Sequence, residues 1–293
     1  MRLTLRQLTI FVAVADTGST SAAGEQIALS QSATSGALKE LESLLGAQLF
    51  DRIGKRLLLN DSGRAVLAQA RGLLGAAQEL ESLFGGAESA STRLRLAAST
   101  TIGNYLLPAL VASYQRDSPT TAIEVAIGNT REVAASVARL EVDLGLIEGP
   151  CPDPELRVVP WRDDQLVIVC AASHPIRTEG RVPVAALRAA RWLQREPGSG
   201  TREAVEHALL PHLHHLEGSL QLGSTEAIKQ ATAEGMGLAC LSACAVEDLV
   251  TLGRLVVLQT TLPRLSRRFY LVHHRQKHFS ARLKKFAGHI GMV

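Results

Sequence analysis

The sequence predicts a chain of three parts: a helix-rich N-terminal domain, a linker helix and a C-terminal α/β domain made of two small lobes. Three observations lead to this prediction. Residues 1–60 hold short stretches with helical apolar periodicity, and residues 61–92 begin with one long apolar stripe and end in small residues. From about residue 93 to residue 293, strand-like apolar runs alternate with helical stretches, which is typical of α/β architecture.

Composition and charge narrow the class of protein. The chain has 293 residues, of which 46% are hydrophobic, so it can bury a sizeable core in two or three domains. No apolar run reaches the roughly 18 residues that a membrane helix needs, and the N-terminus lacks the apolar region of a signal peptide. We therefore expect a cytoplasmic protein. The net charge of +3 does not by itself indicate nucleic acid, because residues 1–62 are formally neutral.

Cysteine and histidine residues do not form a recognisable metal or cofactor motif. The four cysteines are scattered among apolar neighbours, which indicates reduced core thiols. They are Cys151, Cys170, Cys240 and Cys244. The last two are four residues apart, so a redox pair stays open as an alternative. The histidines between 207 and 215 are interrupted by Pro211, and no partner carboxylate or thiol set stands out, so we expect neither metal nor cofactor.

The N-terminal helical stretch has clear start and stop signals. Thr4 and Gln7 fit a capping box, and Gly18 is placed to end the first helix. Ser19 can cap a second helix. We therefore expect a first helix from about residue 5 to residue 17, followed directly by a second.

Residues 19–45 are the most informative stretch of the chain. They predict two short helices joined by a tight turn, with Gly46 ending the second. That second helix opens with small polar residues and one basic residue, a face that can hydrogen-bond base edges and phosphates in a DNA major groove. The residues of this face are Ser30, Gln31, Ser32, Ser35 and Lys39.

A β-hairpin, or wing, is predicted next, because Gly54 separates two short β-compatible runs. Basic side chains on and near the hairpin can form a positive rim that meets phosphates and gives an affinity that falls with salt. The rim consists of Lys39, Arg52, Lys55, Arg56 and Arg64. A solvated surface is the ordinary alternative for any one of them, and their adjacency to the helix pair favours the rim.

The linker helix carries a heptad pattern of apolar residues. The seam is Val66, Ala70, Leu73, Ala77, Leu80 and Phe84. Such a seam over about three repeats is adequate for a helix pair between two subunits, and a single long core helix is the alternative. Residues 85–92 are interpreted as a flexible linker.

The N-terminal motifs resemble those of a known family. Residues LRQLTIFVAVADTGSTSAA, SQSATSGALKELESLLGAQLFDR and RLLLNDSGR match, in order and spacing, the pattern of LysR-type bacterial transcriptional regulators. The resemblance extends along the whole chain. It implies a winged helix-turn-helix, a linker helix that pairs subunits, and a C-terminal domain like the type 2 periplasmic binding proteins. Lobe I would span about residues 93–162 and 267–293, and lobe II about residues 163–266.

The resemblance also implies partners and site residues. It implies homodimers or homotetramers on partly palindromic promoter DNA, RNA polymerase as a further partner, and a small-molecule effector between the lobes. Gln31, Ser32 and Ser35 match family positions that face the groove or the DNA backbone, and Arg52 and Arg56 match the basic wing.

One position departs from the family pattern. The residue after Ser35 is often Arg in the family and is Gly36 here, which puts one contact to DNA in doubt.

The C-terminal markers look like those of a subgroup of the family. ASTTIGNYLLP, GNTREV, DLGLIEG, REPGSGTREAVE and LGSTEAIKQATAEGMGLACLS resemble regulators of sulfur assimilation, sulfite response and carbon dioxide fixation. The strand pattern itself predicts parallel sheets with ligand sites at the carboxyl ends of the strands. A small oxyanion such as sulfite or sulfate is therefore the expected effector.

Four predicted strand-to-helix turns bring hydroxyl, amide and glycine residues to one cleft. Helix N-termini offer free N–H groups and partial positive charge, which suit a small anion, although the same residues are also ordinary N-caps. The set is Ser99, Thr100, Thr101, Asn129, Thr130, Gly198, Ser199, Gly200, Thr201 and Ser224. Arg195 and Arg202 are expected either to contact the ligand or to pair with Glu196 and Glu203, and Glu148 to lie at the cleft floor or hinge.

These features favour a ligand-responsive transcriptional regulator over an enzyme. No catalytic Ser/His/Asp set, phosphate-binding loop or metal motif can be assembled from the chain. The alternative is a two-lobed solute-binding or enzymatic α/β protein with an unrelated helical N-terminus. A thiol-based redox regulator of the same family is a third possibility, which would need two cysteines that can meet.

Overall fold

A computed structural model of the chain describes residues 3–54, 56–84, 93–177, 180–216 and 220–292. It divides into two units, which are taken in turn. The first comprises residues 1–92, 139–141 and 275–285, and the second comprises residues 93–138, 142–274 and 286–293. The described part of the chain contains no helix both long and apolar enough to cross a membrane.

The first unit is built on three helices, a hairpin and a long helix. They are α1 (Leu5–Thr17), α2 (Thr20–Gln26), α3 (Gln31–Leu45), β1 (Phe50–Ile53), β2 (Arg56–Leu59) and α4 (Asp61–Phe84). The predicted capping box is present, since the Gln7 amide donates to the Thr4 hydroxyl and the Thr4 amide donates to the Gln7 side chain. The prediction for Ser19 is wrong in one respect: Ser19 stands at the N-cap of α2, but its side chain makes no capping hydrogen bond.

The core of this unit lies between α1, α3, α4 and the hairpin. Phe11 and Phe50 pack edge to face with ring centroids 5.5 Å apart, and Leu41 is fully buried beneath them. Strands β1 and β2 pair antiparallel, which confirms the predicted wing. Lys55 lies outside the described residues, and so do residues 85–92 and the Phe84 side chain.

The second unit carries the α/β fold. Its elements begin with β3 (Leu94–Ser99), a π-helix (Ile102–Leu106), α5 (Leu107–Asp117), β4 (Ile123–Gly128), α6 (Thr130–Ala138), β5 (Leu144–Glu148) and β6 (Leu156–Ala171). Next come α7 (Val184–Ala189), β7 (Leu193–Arg195), α8 (Gly200–Leu213), β8 (Leu220–Leu222), α9 (Thr225–Ala233), β9 (Ala239–Ser242), α10 (Ala243–Thr251), β10 (Leu255–Val257) and β11 (Leu265–His274). The last helix is α11 (Ala281–His289), within which one boundary between the units falls.

The predicted two lobes are present. Lobe I contains β3, β4, β5, α5 and α6, and lobe II contains α7 to α10 with β7 to β10. Two long strands, β6 and β11, pair antiparallel and run through both lobes. The strands follow the order β10-β6-β11-β5-β3-β4, with β9 also pairing with β6, while β7 and β8 form a small sheet of their own.

The expectation of parallel sheets is therefore only partly right. β3 pairs parallel with β4 and β5, and β7 pairs parallel with β8, but β6 and β11 are antiparallel to each other and to their other partners. The sequence pattern missed the first half of β6, which is rich in charged residues such as Arg157 and Asp163. An antiparallel strand with one solvated face tolerates such residues, whereas a parallel strand buried on both faces does not.

Candidate functional site

The N-terminal end of α3 presents the polar face that the sequence predicts. Ser30 caps the helix by accepting from the Ala33 amide, and Gln31 and Ser32 are exposed beside it. The Gln31 side-chain amide donates to the Thr20 hydroxyl of α2 at 3.3 Å, which orients it. The opposite face of α3 is anchored by Leu38 and Leu41. Ser35 is half-buried, whereas Gly36 and Lys39 are exposed.

A close approach fixes the turn before α3. A side chain at Gly24 would place its Cβ 2.6 Å from the Leu29 carbonyl oxygen and 3.0 Å from the Thr34 hydroxyl. Because no real Cβ tolerates the first contact, glycine lets α2 and α3 meet tightly. This close approach sets the position of α3, and with it that of the polar face, relative to α2.

The basic rim is only partly free to meet phosphates. Arg52 and Arg56 are exposed on the wing, and Lys39 is exposed on α3. Arg64 instead donates to the Leu59 carbonyl at 2.8 Å and pairs with Asp61 in the first turn of α4. Arg64 is thus occupied locally, while the other three residues keep their predicted position.

The apolar seam of α4 divides between two environments. Ala70 is buried in the core of the first unit and Val66 packs against that core. Leu73 and Leu80 are 50% and 61% exposed. The first part of the seam therefore serves as core, as the alternative interpretation allowed, and the exposed leucines leave an apolar face beyond it.

Arg195 joins the two lobes of the second unit. Its side chain is buried and its Nη1 donates to the Thr100 hydroxyl of lobe I at 2.6 Å and to the Thr225 hydroxyl of lobe II at 2.7 Å. The two hydroxyls lie 3.3 Å apart. Thr225 begins α9, whose N-cap is Ser224. A guanidinium, two hydroxyls and a helix N-terminus thus converge on one point between the lobes.

Glu196 occupies the other edge of the same guanidinium. Arg195 Nε and Nη2 donate to the two oxygens of Glu196, each at 2.8 Å. Burial raises the pKa of Glu196, but the hydrogen bonds from Arg195 and a contribution from Asn129 outweigh it, so the pKa lies below its ordinary value. Of the two predicted roles for Arg195, the ion pair is present.

Glu148 forms a second junction between the lobes. It is the buried last residue of β5 and accepts from the Thr101 amide at 2.8 Å, from the Thr201 hydroxyl of α8 and from Arg267 Nη1 at 2.7 Å. Burial raises the pKa of Glu148, but the Arg267 guanidinium and these hydrogen bonds outweigh it, so the carboxylate is stabilised in its charged form. The Thr130 hydroxyl donates to its backbone carbonyl at 3.3 Å.

Gly200 lets the lobes meet at this junction. A Cβ there would overlap the carbonyl oxygen of Glu148 and lie 2.5 Å from the Thr130 hydroxyl. Gly198, two residues earlier, has φ +90°, a backbone conformation that L side chains rarely adopt. These glycines have structural reasons for their presence that are independent of any ligand.

Arg267 continues the network into lobe II. Its Nε donates to Asp164 at 2.7 Å, and the other oxygen of Asp164 accepts from the Ser242 hydroxyl at 2.6 Å. Arg267 and Asp164 are directly opposite in the antiparallel pairing of β11 and β6, where the chain passes between the lobes. A buried cation is therefore held by two carboxylates at the crossing point.

A third contact between the lobes involves the π-helix. The Tyr105 hydroxyl donates to Glu226 of α9 at 2.7 Å, and burial together with that carboxylate raises the pKa of Tyr105 to about 12. Buried Lys229 pairs with Glu226 at 2.9 Å and with Asp248 at 2.8 Å. Short π-helical segments are frequent at functional sites.

Several predicted site residues act as helix caps. Ser199 accepts from the Arg202 amide, Ser224 accepts from the Ala227 amide, and Asn129 and Glu132 cap α6 reciprocally. Arg202 pairs with Glu206 at 2.7 Å, so the predicted pairing with Glu203 is wrong. The spacing explains this, because a residue four positions along a helix faces its partner, whereas the adjacent residue does not.

Sequence reasoning missed the partners of the predicted residues. The predicted set does not include Thr225, Tyr105, Asp164, Lys229 or Arg267. Arg267 is buried, although arginine is usually exposed. Two signals in the sequence indicate buried ion pairs. Lys229 lies within the apolar face of α9, and Arg267 lies within an apolar strand.

The thiols give no support to a redox pair. Burial raises the pKa of Cys240 to about 12 and also raises the pKa of Cys244. A thiolate is the reactive species, and these shifts favour the protonated thiol of both side chains at neutral pH.

Comparison with known proteins decides the family. The model of the bacterial regulatory helix-turn-helix protein, lysR family, matches residues 5–64, and the model of the LysR substrate binding domain matches residues 87–292. The chain belongs to the LysR family. It is thus a DNA-binding LysR-type transcriptional regulator with an effector-binding domain, as the sequence resemblance predicted.

Relatives and solved structures agree with the family assignment. An uncharacterized HTH-type transcriptional regulator YeiE of Escherichia coli (strain K12) is 46% identical, over 98% of this chain and 96% of the relative. A RuBisCO operon transcriptional regulator of Allochromatium vinosum is 32% identical over 96% of this chain and 93% of the relative. A full-length OxyR variant from Pseudomonas aeruginosa shares the LysR-type fold with a TM-score of 0.79, at 24% identity, over 99% of this chain and 95% of that one.

Proposed function

We propose that this LysR-type regulator is a cytoplasmic homo-oligomer whose effector is a small oxyanion, with sulfite and sulfate as the first candidates. One observation carries the proposal. The buried guanidinium of Arg195 donates to hydroxyls of both lobes, at the N-terminus of α9. Arg presents a planar fork that suits oxyanions, the nearby helix N-terminus favours negative charge, and the bridge to both lobes makes an anion bound at Arg195 sensitive to their arrangement.

The proposed mechanism is a population shift. An anion that contacts both lobes binds their closed arrangement better than an open one, and it can shift the equilibrium only by that difference in affinity. The oligomer then rearranges, and the spacing of the DNA-reading heads along the promoter changes. RNA polymerase contact would follow from that rearrangement.

The effector part of the proposal is tested by calorimetric titration of the full-length protein with sodium sulfite, sodium sulfate and inorganic phosphate. We expect at least one to bind, and Arg195→Gln to abolish that binding because the variant loses the charged fork. Arg254→Gln is the matched control, since Arg254 forms a surface pair with Glu234 in the same unit. Equal loss in both variants, or binding that survives in Arg195→Gln, would contradict the proposed site.

The DNA part is tested by fluorescence anisotropy with the DNA upstream of the chain's own gene and with a scrambled duplex of equal length. We expect tighter binding to the upstream DNA and an affinity that falls with salt. Deleting residues 1–90 should abolish DNA binding and leave anion binding. A truncated protein that keeps DNA binding but loses the anion would reverse the proposed division of roles.

The oligomer is proposed to form through the exposed apolar face of α4. Replacing Leu73 and Leu80 together by Glu places charge in that face and should shift sedimentation toward monomer. Gln69→Glu adds a charge at an exposed position of the same helix and serves as the control. Unchanged sedimentation of the double variant would show that subunits associate elsewhere.

A further inference from the structure

The strongest unexplained relationship in the cleft is the pairing of Arg195 with its own neighbour in sequence. Four of the five N–H groups of Arg195 are used: two by Glu196, one by Thr100 and one by Thr225. Because only one N–H group is left, an oxyanion can accept from two N–H groups of this guanidinium only by displacing a hydroxyl or the carboxylate. These two routes have different consequences for the contact between the lobes.

Displacing the hydroxyls would break contacts that join the lobes. Thr100 lies in lobe I and Thr225 in lobe II, and both are held by the same nitrogen of Arg195. A ligand that took their place would remove this direct bridge between the lobes. Displacing Glu196 leaves that bridge intact.

Glu196 is partly exposed, whereas the guanidinium with which it pairs is buried. Its side chain is 20% exposed, whereas that of Arg195 is 1% exposed. A cavity that Arg195 lines together with Leu193, Val205 and Ile228 has a volume of about 10 Å³, which is roughly the space of one water molecule. A sulfite, sulfate or phosphate ion is larger than that space, so the approach we infer is the partly exposed carboxylate edge.

The Glu196 carboxylate already has the geometry of a bound oxyanion. It accepts two parallel hydrogen bonds from Arg195, in the bidentate arrangement that carboxylates and other oxyanions share. Asn129 of lobe I also acts on it, since the Asn129 side chain contributes to holding its pKa low.

We infer that Glu196 is a built-in competitor of the effector, an internal anion that occupies Arg195 until a stronger oxyanion replaces it. This inference rests on the proposed oxyanion site. The exchange conserves the ion pair at Arg195 and releases the Glu196 carboxylate toward solvent. It makes Glu196 the residue that sets the effector concentration at which the regulator responds.

The test is the affinity of the full-length Glu196→Gln and Glu196→Ala variants for sodium sulfite, sodium sulfate and inorganic phosphate, measured by calorimetry. Hydrogen bonds between charged groups are strong, so removing the competitor should tighten anion binding at least about tenfold. Glu203→Gln is the control because Glu203 is an exposed carboxylate in the first turn of α8. Because solvent and salt screen the charge of Glu203, the Glu203→Gln variant should change the anion affinity by less than about threefold.

The possible outcomes distinguish failure of the competitor role of Glu196 from failure of the proposed oxyanion site at Arg195. If the wild type binds an anion and both Glu196 variants bind it no more tightly than Glu203→Gln does, the competitor role is wrong and the oxyanion site stands. If neither the wild type nor any Glu196 variant binds any of the three anions, the oxyanion site fails and the inference fails with it. Tighter binding in the Glu196 variants alone supports both.

Discussion

Arg267 Nη1 donates to Glu148 Oε2 at 2.7 Å, and both side chains are almost completely buried at the crossing of the two lobes. Asp164 holds the same guanidinium from the opposite strand. Burying three charges costs desolvation energy, which their mutual attraction and hydrogen bonds offset only if the arrangement is complete. The network therefore specifies how the lobes meet.

Glu148→Gln should destabilise the effector-binding domain. The variant keeps the size of the side chain but leaves Arg267 with one carboxylate, and breaking a buried pair typically costs about 3 kcal/mol of the free energy of unfolding. Both tryptophans of the chain, Trp161 and Trp192, lie in the second unit, so denaturant unfolding followed by tryptophan fluorescence reports on this domain.

The control for that variant is Glu124→Gln. Glu124 pairs with Arg93 at 3.1 Å, and more than half of each side chain is exposed. Such pairs contribute about 1 kcal/mol or less. If the two substitutions lower the free energy of unfolding equally, the buried network stabilises the domain no more than a surface ion pair does.

The difference between wild type and Glu148→Gln should depend on pH. The pKa of Glu148 lies below its ordinary value of 4.5 in the folded protein. A carboxyl whose pKa is depressed on folding contributes stability above the unfolded value and loses it as the pH falls through the folded value. The difference should thus be largest at neutral pH, begin to shrink below about pH 4.5, and vanish only below the lower pKa of the folded protein. A constant difference from pH 7 to pH 3 would exclude the charge of Glu148 as its cause.

Gly200→Ala should weaken the contact between the lobes. The added Cβ would overlap the Glu148 carbonyl oxygen, so the N-terminus of α8 must move away from β5. We expect a lower melting temperature and weaker anion binding, because Arg195 can then no longer reach both hydroxyls at once. Gly223→Ala is the control, since a Cβ there meets nothing within 4 Å. Wild-type anion binding in Gly200→Ala would show that the junction does not align the cleft.

Local features of this fold could be predicted from the sequence. These features depend on residues that are close together in the sequence. They are the capping box at Thr4, the helix end at Gly18, the wing around Gly54 and the turns that bear the cleft hydroxyls. Short-range chemistry fixes such features, because capping and turn formation involve residues three or four positions apart.

The pairings that build the cleft depend on long-range topology. Glu148 and Arg267 are 119 positions apart, and Thr100 and Arg195 are 95 apart. Nothing in the spacing of these residues indicates that β11 returns beside β5. The linker helix shows the same dependence on long-range packing. Its regular apolar seam does not reveal that Ala70 lies in a core while Leu73 is exposed.

Gly36→Arg should increase DNA affinity. Gly36 is exposed in the middle of α3, and a Cβ there meets nothing within 4 Å, so an arginine side chain can be accommodated. Replacing Gly within a helix also stabilises it by about 1 kcal/mol. If the new guanidinium reaches a phosphate, the slope of log affinity against log salt should steepen by about one.

Gly36→Ala separates these two effects. It gives the same gain in helix propensity without a charge, so its salt slope should equal that of the wild type. Anisotropy titrations of both variants between about 50 and 200 mM salt cover the range over which phosphate contacts change affinity strongly. Identical slopes for Gly36→Arg and Gly36→Ala would place this position away from the DNA backbone. A steeper slope for Gly36→Arg alone would support the proposal that α3 binds DNA through the face that carries Gln31 and Ser32.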